Sequence, residues 1–258
     1  MAKNAGPIAT IGAGRMGRGI ALAYAIHGQS TAIIDFKPRS PQQYEDLRQS
    51  ISSELALTLR QLADLGMFAV EQIEPILGRI GIYALDEADA VLATAPIVYE
   101  GVPETPEAKR DALGRIGTAV SDDAIIASST STMLASDLAA LVYKPQRFMN
   151  AHWLNPAYLI PLVEVSAHAG TDAAAVQVLK DSLKSIGKVP VECSCSPGYI
   201  VPRLQTLVMN EAARMVEEKV ATAEQIDLAT RYGLGFRFAA IGVLEFIDYG
   251  GNDILYHA

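Results

Sequence analysis

The chain has 258 residues, of which 50% are hydrophobic and 19% are charged, and its formal net charge is −8. This composition is typical of a globular protein and excludes a disordered chain. An acidic chain without a cluster of lysines and arginines is a poor candidate for binding nucleic acid or an anionic membrane. No apolar run is long enough for a signal peptide or a membrane span, so we expect a cytoplasmic protein. Two cysteines are too few for a four-ligand zinc site, and we expect no metal.

Strand and helix patterns alternate along most of the chain. Helical periodicity follows the first strand, extends over 41–79 with a break near Gly66, and returns over 104–120 and 171–187. Everything after the SPGY stretch at 196–199 is helical in period. The sequence therefore predicts an α/β domain over residues 1–195 and a smaller helical domain over 196–258. Short apolar runs predict strands at 8–12, 30–36, 79–83, 96–100, 124–128, 147–153, 162–166 and 188–194.

The stretch IGAGRMG carries a dinucleotide-binding pattern. Gly12, Gly14 and Gly17 have the spacing G-x-G-x-x-G, directly after a strand and at the start of a helix. Such glycines permit a tight turn, a close approach of backbone to a pyrophosphate, and contact between helix and strand. Asp35 ends the second strand, where a carboxylate would accept hydrogen bonds from the adenosine ribose. This pattern predicts NAD as the cofactor, and the alternative is a glycine-rich turn without a ligand.

Residues beside this motif complete the predicted cofactor site. Arg15 and Met16 lie between the glycines at the start of the helix, and we assign both to the cofactor. Asp35 would repel a 2′-phosphate and so favours NAD over NADP, but Lys37 and Arg39 lie nearby and leave this preference open.

The apolar stretch NAHWLNPAYLIPLVEVS contains three polar side chains, those of His152, Asn155 and Glu164. Pro156 and Pro161 prevent it from forming one continuous helix. A buried polar group without a partner costs about 2–7 kcal/mol, and a charge costs more. These side chains therefore either satisfy one another as core packing or serve a reaction.

The pattern resembles the L-3-hydroxyacyl-CoA dehydrogenase family, in which a Rossmann domain precedes a helical dimerisation domain. The resemblance covers nearly the whole chain, because ASSTST at 127–132, YEGVPETPEAKR at 99–110 and SPGYIVPRL at 196–204 occur in the family's order. It implies a doubly wound, mostly parallel sheet, a homodimer and NAD-dependent oxidation of a hydroxyl group.

The resemblance also implies roles for individual residues. His152 would remove the hydroxyl proton of the substrate, and Glu164 would hold the imidazole in one tautomer. Ser131 and Asn155 would donate hydrogen bonds to substrate oxygens. Glu100 and Lys109 would belong to the cofactor-side loop.

The sequence departs from the family in three places. Ser129 stands where the family usually has Asn, and Pro202 stands where the family has Asn after the GYIV-like stretch. The helical region after Gly198 is shorter than in the family, so either the chain is truncated or this domain is abbreviated.

The substrate is less sharply indicated than the reaction. The family favours a 3-hydroxyacyl-CoA such as 3-hydroxybutyryl-CoA, in fatty acid metabolism. The stretches HWLNPAYLIPLVEV and YGLGFRFAAIG look closer to the lambda-crystallin (L-gulonate dehydrogenase) and L-carnitine dehydrogenase branch. Residues 41–80 carry more acidic than basic side chains, which is unfavourable for the phosphates of coenzyme A. The alternatives are therefore a small free hydroxy acid, with Arg237 as its cation, or a non-catalytic crystallin-like dinucleotide-binding protein.

Overall fold

Short runs of apolar residues form the eight strands of one sheet, in the spatial order β3-β2-β1-β4-β5-β6-β7-β8. The pairs from β3 to β6 are parallel, β6 and β7 are antiparallel, and β7 and β8 are parallel to each other. The mostly parallel, doubly wound sheet expected from the sequence is confirmed. The strands are β1 Ile8–Ile11, β2 Thr31–Ile34, β3 Ile80–Tyr83, β4 Ile97–Glu100, β5 Ile125–Ser128, β6 Phe148–Trp153, β7 Leu162–Ala167 and β8 Val189–Cys193.

The computed structural model describes residues 6–251 and residue 256, and the chain divides into two compact units, Met1–Ile200 and Val201–Ala258. The sequence placed this boundary after residue 195. The helices of the first unit are α1 Arg15–Ile26, α2 Pro41–Asp64, α3 Ile73–Leu77, α4 Ala88–Leu92, α5 Pro106–Ala119, α6 Ala135–Ala139 and α7 Ala173–Ser185.

The second unit is helical throughout its described part. Its helices are α8 Val201–Glu217, α9 Ala223–Ala229, α10 Phe236–Ala240 and α11 Val243–Gly250, with a π-helical segment at Thr230–Gly235 before α10. Many of its large apolar side chains are exposed, among them Leu207, Phe236 and Leu244.

The long helical stretch after β2 breaks where the sequence predicted. Ser40 caps α2 by accepting a hydrogen bond from the backbone of Gln43, and Pro41 occupies the first turn, where its missing N–H costs nothing. Gly66 ends this region with a φ of +79°, a conformation that glycine adopts without a steric penalty. A short 3₁₀ segment at Val70–Gln72 and α3 form the second helical segment that the pattern predicted.

A cluster of hydrogen-bonded aromatic residues packs between α1, α7 and the middle of the sheet. The hydroxyls of Tyr24 and Tyr99 lie 2.7 Å apart, and the hydroxyl of Tyr24 also lies 3.0 Å from that of Ser182. Trp153 packs edge-on against Tyr99, with their ring centroids 5.5 Å apart. Burial raises the pKa of Tyr24 to about 12, so its phenol keeps its proton. This cluster fixes the position of β6, which carries His152, relative to α1 and β4.

Two negative findings concern the described residues. No helix within residues 6–251 is long and apolar enough to cross a membrane. No group of three or more histidine, cysteine or acidic side chains in the same part of the chain is arranged to hold a metal ion. The cellular location expected from the sequence stays a prediction.

Two glycines on helices of the first unit provide a matched test of the predicted glycine turn. A Cβ atom on Gly17 would lie 2.1 Å from the backbone oxygen of Gly12, whereas one on Gly114 would meet nothing within 4 Å. We expect Gly17→Ala to lower the free energy of unfolding by about 1–3 kcal/mol, because the β1–α1 turn must shift. Gly114→Ala should instead raise it by about 0.5–1 kcal/mol, because it removes a mid-helix glycine. Urea unfolding of both variants measures this, and equal effects of the two substitutions would contradict it.

Candidate active site

An open cleft lies beside the glycine-rich turn at the carboxyl ends of β1 and β2. The cleft has a volume of about 640 Å³ and is lined by Gly12, Gly14, Asp35 and Gly101, among others. Gly12 has a φ of +98°, and a Cβ atom on Gly14 would stand in open space. The backbone can therefore approach a phosphate closely, at the N-terminus of α1, where the helix dipole favours an anion. These residues fit a dinucleotide.

Asp35 is buried at the edge of this cleft and forms an ion pair with Arg39. Lys37 and Arg39 also line the cleft. A carboxylate at this position suits the ribose hydroxyls of NAD, although Arg39 balances its charge.

Glu100 and Lys109 meet in the protein interior below the loop that follows β4. The Lys109 ammonium lies 3.0 Å from each carboxylate oxygen of Glu100, and both side chains are almost fully buried. Glu100 also accepts hydrogen bonds from the Ser128 hydroxyl and from the backbone of Val102. These side chains therefore support the loop from inside, and their predicted role in binding the cofactor stays a prediction.

Glu104, which the sequence analysis did not single out, holds the turn that carries Ser131. Its carboxylate accepts hydrogen bonds from the backbone N–H of Ser131 and, at 2.9 Å, from the Thr130 hydroxyl. It also lies 3.3 Å from the Lys109 ammonium. The turn exposes Ser131, so its hydroxyl is accessible.

His152 and Glu164 form the predicted pair. They lie directly opposite each other on β6 and β7, and the imidazole Nδ1 is 2.8 Å from Glu164 Oε2. Glu164 is fully buried, and its other oxygen accepts a hydrogen bond from the backbone N–H of Ile200 at 2.9 Å. A carboxylate acceptor requires the proton on Nδ1, which leaves the lone pair of neutral His152 on Nε2.

Tyr199, which the sequence analysis also did not single out, stacks on this imidazole. The two rings are nearly parallel, with centroids 4.7 Å apart. Its hydroxyl donates to the Thr130 carbonyl at 2.9 Å and accepts a hydrogen bond from the Asn150 amide at the same distance. Burial raises the pKa of Tyr199, so the phenol remains a donor. Tyr199 thus connects His152 to the backbone beside Ser131.

The loop after β6 presents Asn155 at the surface of the first unit. Lys188, which is only 7% exposed, donates hydrogen bonds of 2.7 Å to the carbonyls of Ala157 and Ile160. Its ammonium also lies 5.5 Å from the centroid of the Trp153 ring. These contacts fix the loop and hence the position of Asn155.

The remaining predicted side chains lie outside this cluster. Met16 is half-buried and packs against the core, and Arg15 is exposed. Arg237 belongs to the second unit, where its guanidinium lies 5.1 Å from the centroid of the Phe246 ring and donates to the carbonyl of Gly233. Its role toward a substrate stays a prediction.

The site residues therefore combine an open dinucleotide cleft with a buried imidazole–carboxylate pair. A neutral imidazole held by a carboxylate can accept a proton and stabilise the resulting charge. Hydroxyl and amide donors lie on neighbouring loops. This arrangement suits proton removal from an alcohol next to a hydride acceptor.

Comparison with known protein families matches both parts of the chain to the two domains of one enzyme family. The model for the NAD-binding domain of 3-hydroxyacyl-CoA dehydrogenases matches residues 7–196, and the model for the C-terminal domain of the same enzymes matches residues 198–258.

Individual relatives differ in what their names say they act on. A 5-formyl-3-hydroxy-2-methylpyridine 4-carboxylate 5-dehydrogenase from Mesorhizobium japonicum is 30% identical over 96% of this chain and 76% of its own length. The human lambda-crystallin homolog is 31% identical over 97% of this chain and 76% of its own. Escherichia coli 3-hydroxyadipyl-CoA dehydrogenase is 33% identical over 97% of this chain but only 50% of its own.

Solved structures show the same likeness. The crystal structure of a 5-formyl-3-hydroxy-2-methylpyridine 4-carboxylic acid 5-dehydrogenase superposes with a TM-score of 0.81 at 30% identity, over 97% of this chain and 78% of that one. (S)-3-Hydroxybutyryl-CoA dehydrogenase from Ralstonia eutropha gives 0.76 at 29% identity, over 89% and 77% of the two chains.

Removal of the Tyr199 hydroxyl tests its place in the site. Tyr199→Phe keeps the ring over His152 but leaves the Thr130 carbonyl without its donor, so we expect a loss of about 1–3 kcal/mol in the free energy of unfolding. Tyr143→Phe is the control, because Tyr143 is 75% exposed, and it should change stability by less than about 0.5 kcal/mol. Chemical denaturation measures both. If Tyr199→Phe left the free energy of unfolding unchanged, this hydroxyl would not hold the turn.

Proposed function

Because the chain belongs to the 3-hydroxyacyl-CoA dehydrogenase family, we propose that it interconverts a 3-hydroxy and a 3-oxo group on a small substrate, with NAD as the cofactor. The observation that carries this proposal is the buried contact of 2.8 Å between His152 Nδ1 and Glu164 Oε2. A pair buried in this way, in the unit that also holds a dinucleotide cleft, has the form that proton transfer from an alcohol requires.

In this reaction, His152 removes the hydroxyl proton of the substrate at Nε2. Bound NAD supplies a hydride acceptor for the hydrogen on the same carbon, so the alcohol loses a proton and a hydride and becomes a ketone. Glu164 keeps the proton of the neutral imidazole on Nδ1 and then stabilises the imidazolium. Tyr199 holds the ring plane through the stack. The reverse reaction returns the proton from His152 to the oxo group.

Ser131 and Asn155 orient the substrate in this proposal. Both side chains are exposed, and among residues 6–251 neither side chain has a hydrogen-bond partner. Glu104 holds the backbone of Ser131, and Lys188 holds the loop that carries Asn155. Donors fixed in this way can position a substrate oxygen at little entropic cost.

A 3-hydroxyacyl-CoA such as 3-hydroxybutyryl-CoA is the first substrate candidate, because relatives with that activity in their names match most of this chain. A small free hydroxy acid is the second candidate. It is favoured by α2, where Arg48 and Arg60 are each paired with an acidic neighbour instead of being available to phosphates.

A non-catalytic, crystallin-like protein is the third alternative. The similarity to lambda-crystallin supports it. The polar residues argue against it, because burying a histidine and a glutamate together has a desolvation cost that a purely structural core avoids.

Substitution of the pair tests the reaction. We expect His152→Ala to abolish NADH formation over a panel of 3-hydroxy acids and thioesters while leaving NAD affinity nearly unchanged. Glu164→Gln should lower turnover by about 10²- to 10⁴-fold, as for other orienting groups. His27→Ala is the matched control, because His27 is exposed and, among residues 6–251, its ring bonds only to its own helix. Near-normal turnover by His152→Ala would reject the mechanism.

We also propose a homodimer built on the second unit. A helical segment of this size buries little core by itself, and Leu207, Phe236 and Leu244 are all more than two-thirds exposed. Burial of these side chains against another apolar surface would be favourable, and a second copy of the chain provides an identical surface.

Sedimentation tests this assembly. The wild type should sediment at micromolar concentration with about twice the chain mass of 27.5 kDa. Leu207→Lys should shift it towards a single chain, because a charge would enter the interface. Leu65→Lys changes an equally exposed leucine of the first unit and should leave the mass unchanged. A wild-type mass of one chain would reject the dimer.

A further inference from the structure

A second pocket, of about 240 Å³, lies next to the cofactor cleft, between the start of α1, the middle of α2 and the loop after β6. Asn155, the proposed substrate ligand, lines it. The polar groups on its walls are those of Arg15, Arg18, Glu54, Thr58, Asn155 and Tyr158.

The two arginines of this pocket differ in what they bind. Arg18 donates from Nε to the Ala13 carbonyl at 2.8 Å and forms an ion pair with Glu54. Arg15 is exposed, and its guanidinium has no hydrogen-bond or ion-pair partner among residues 6–251. Since Glu54 balances Arg18, the pocket is left with one positive charge, on Arg15.

Neutral donors surround this charge. Within the described residues, the Asn155 amide and the hydroxyls of Thr58 and Tyr158 have no hydrogen-bond partner. Leu22 and Leu55 contribute buried apolar surface to the same pocket. A small pocket that combines several neutral donors, one guanidinium and some apolar surface is suited to a small organic anion.

Arg15 faces this pocket instead of the cofactor cleft. The cofactor cleft is lined by Gly12, Gly14 and Arg18 but not by Arg15. Arg18 borders both spaces and separates them. This placement differs from the pyrophosphate contact that the position of Arg15 in the glycine motif suggested.

We propose that this pocket binds the carboxylate of the substrate through Arg15, so that the substrate is a small 3-hydroxy acid with a free carboxylate. The proposal rests on the proposed function, because Asn155 connects the pocket to the reacting hydroxyl. Arg15 and the Asn155 amide together hold the carboxylate, and the C3 hydroxyl faces His152.

The charge of the surrounding helix supports a carboxylate over the phosphates of coenzyme A. Arg48 pairs with Glu45 and Arg60 with Asp64 on the surface of α2, so each of these arginines has an acidic neighbour that a phosphate would have to compete with. A single free guanidinium matches one carboxylate, whereas a group of phosphates requires several cations.

The experiment compares an acid with its neutral ester. Steady-state kinetics are measured with 3-hydroxybutyrate, its methyl ester and 3-hydroxybutyryl-CoA, for the wild type, Arg15→Ala, Arg60→Ala and Arg237→Ala. Arg15→Ala should raise KM for the acid about 10- to 100-fold, the worth of a charged hydrogen bond. It should leave KM for the ester and for NAD unchanged. Arg60→Ala is the control, because Arg60 is exposed on α2 outside the pocket, and it should behave like the wild type.

Three results would overturn the proposal. An equal rise in KM for the acid and the ester would show that Arg15 does not recognise the charge of the carboxylate. A loss of NAD affinity in Arg15→Ala would show that Arg15 binds the pyrophosphate of the cofactor instead. A rise confined to the CoA thioester would identify the anion as a phosphate. If Arg237→Ala raises KM for the acid and Arg15→Ala does not, the carboxylate binds in the second unit.

A binding measurement separates this proposal from the proposed reaction. Calorimetric titration of the complex of the enzyme with oxidised NAD by 3-oxobutanoate involves no turnover, because neither oxidised NAD nor the 3-oxo acid can donate a hydride. Suppose that Arg15→Ala binds 3-oxobutanoate more weakly than the wild type, and that the wild type oxidises no 3-hydroxy compound. This result would support the anion pocket and reject the proposed reaction. If the wild type oxidises the 3-hydroxy compounds but Arg15→Ala binds 3-oxobutanoate as tightly as the wild type, the anion pocket is rejected and the proposed reaction is retained.

Discussion

The antiparallel pairing of β6 and β7 is the constraint on which the rest of the site depends. It places His152 directly opposite Glu164, on the same face of the sheet, so that their side chains meet at 2.8 Å. The connection between these strands is short, and a parallel return would need a crossover of a dozen or more residues. A shift of one residue in this register would move one of the two side chains to the other face and leave a buried carboxylate unpaired. The same geometry therefore gives each of the two buried side chains a hydrogen-bond partner and holds the imidazole that we propose as the proton acceptor.

Buried polar networks hold the edges of this site. Glu100 and Lys109 neutralise each other beneath the loop after β4, and Glu104 reaches from that loop to the turn carrying Ser131. Tyr199 joins the same turn to the imidazole. In a low-dielectric interior such networks are rigid when every member is satisfied and costly when one is removed. The groups that we propose as catalytic thus keep their positions through residues that do not touch the substrate in the proposed reaction.

Ion pairs determine which arginines remain unpaired around the cofactor cleft and the second pocket. Arg39 pairs with Asp35 at the ribose end of the cofactor cleft, and Arg18 pairs with Glu54 at the boundary between the two spaces. Arg15 lines the second pocket and has no ion-pair partner within residues 6–251. In a family whose relatives are named for thioesters and for free acids, such local pairing is a physical basis for substrate choice.

The sequence alone determined the features that depend on local pattern. It predicted the strands, the glycine turn with Asp35 and the break at Gly66, because strand periodicity, turn chemistry and motif spacing are read along the chain. The pairing of His152 with Glu164 was predicted from the resemblance to the family. Only the tertiary structure decided which side chains are accessible. Glu100 and Lys109 proved to be buried, Tyr199 proved to stack on the imidazole, and Arg15 proved to face the second pocket. These outcomes depend on contacts between segments far apart in the chain and on the direction of individual side chains, neither of which local periodicity records.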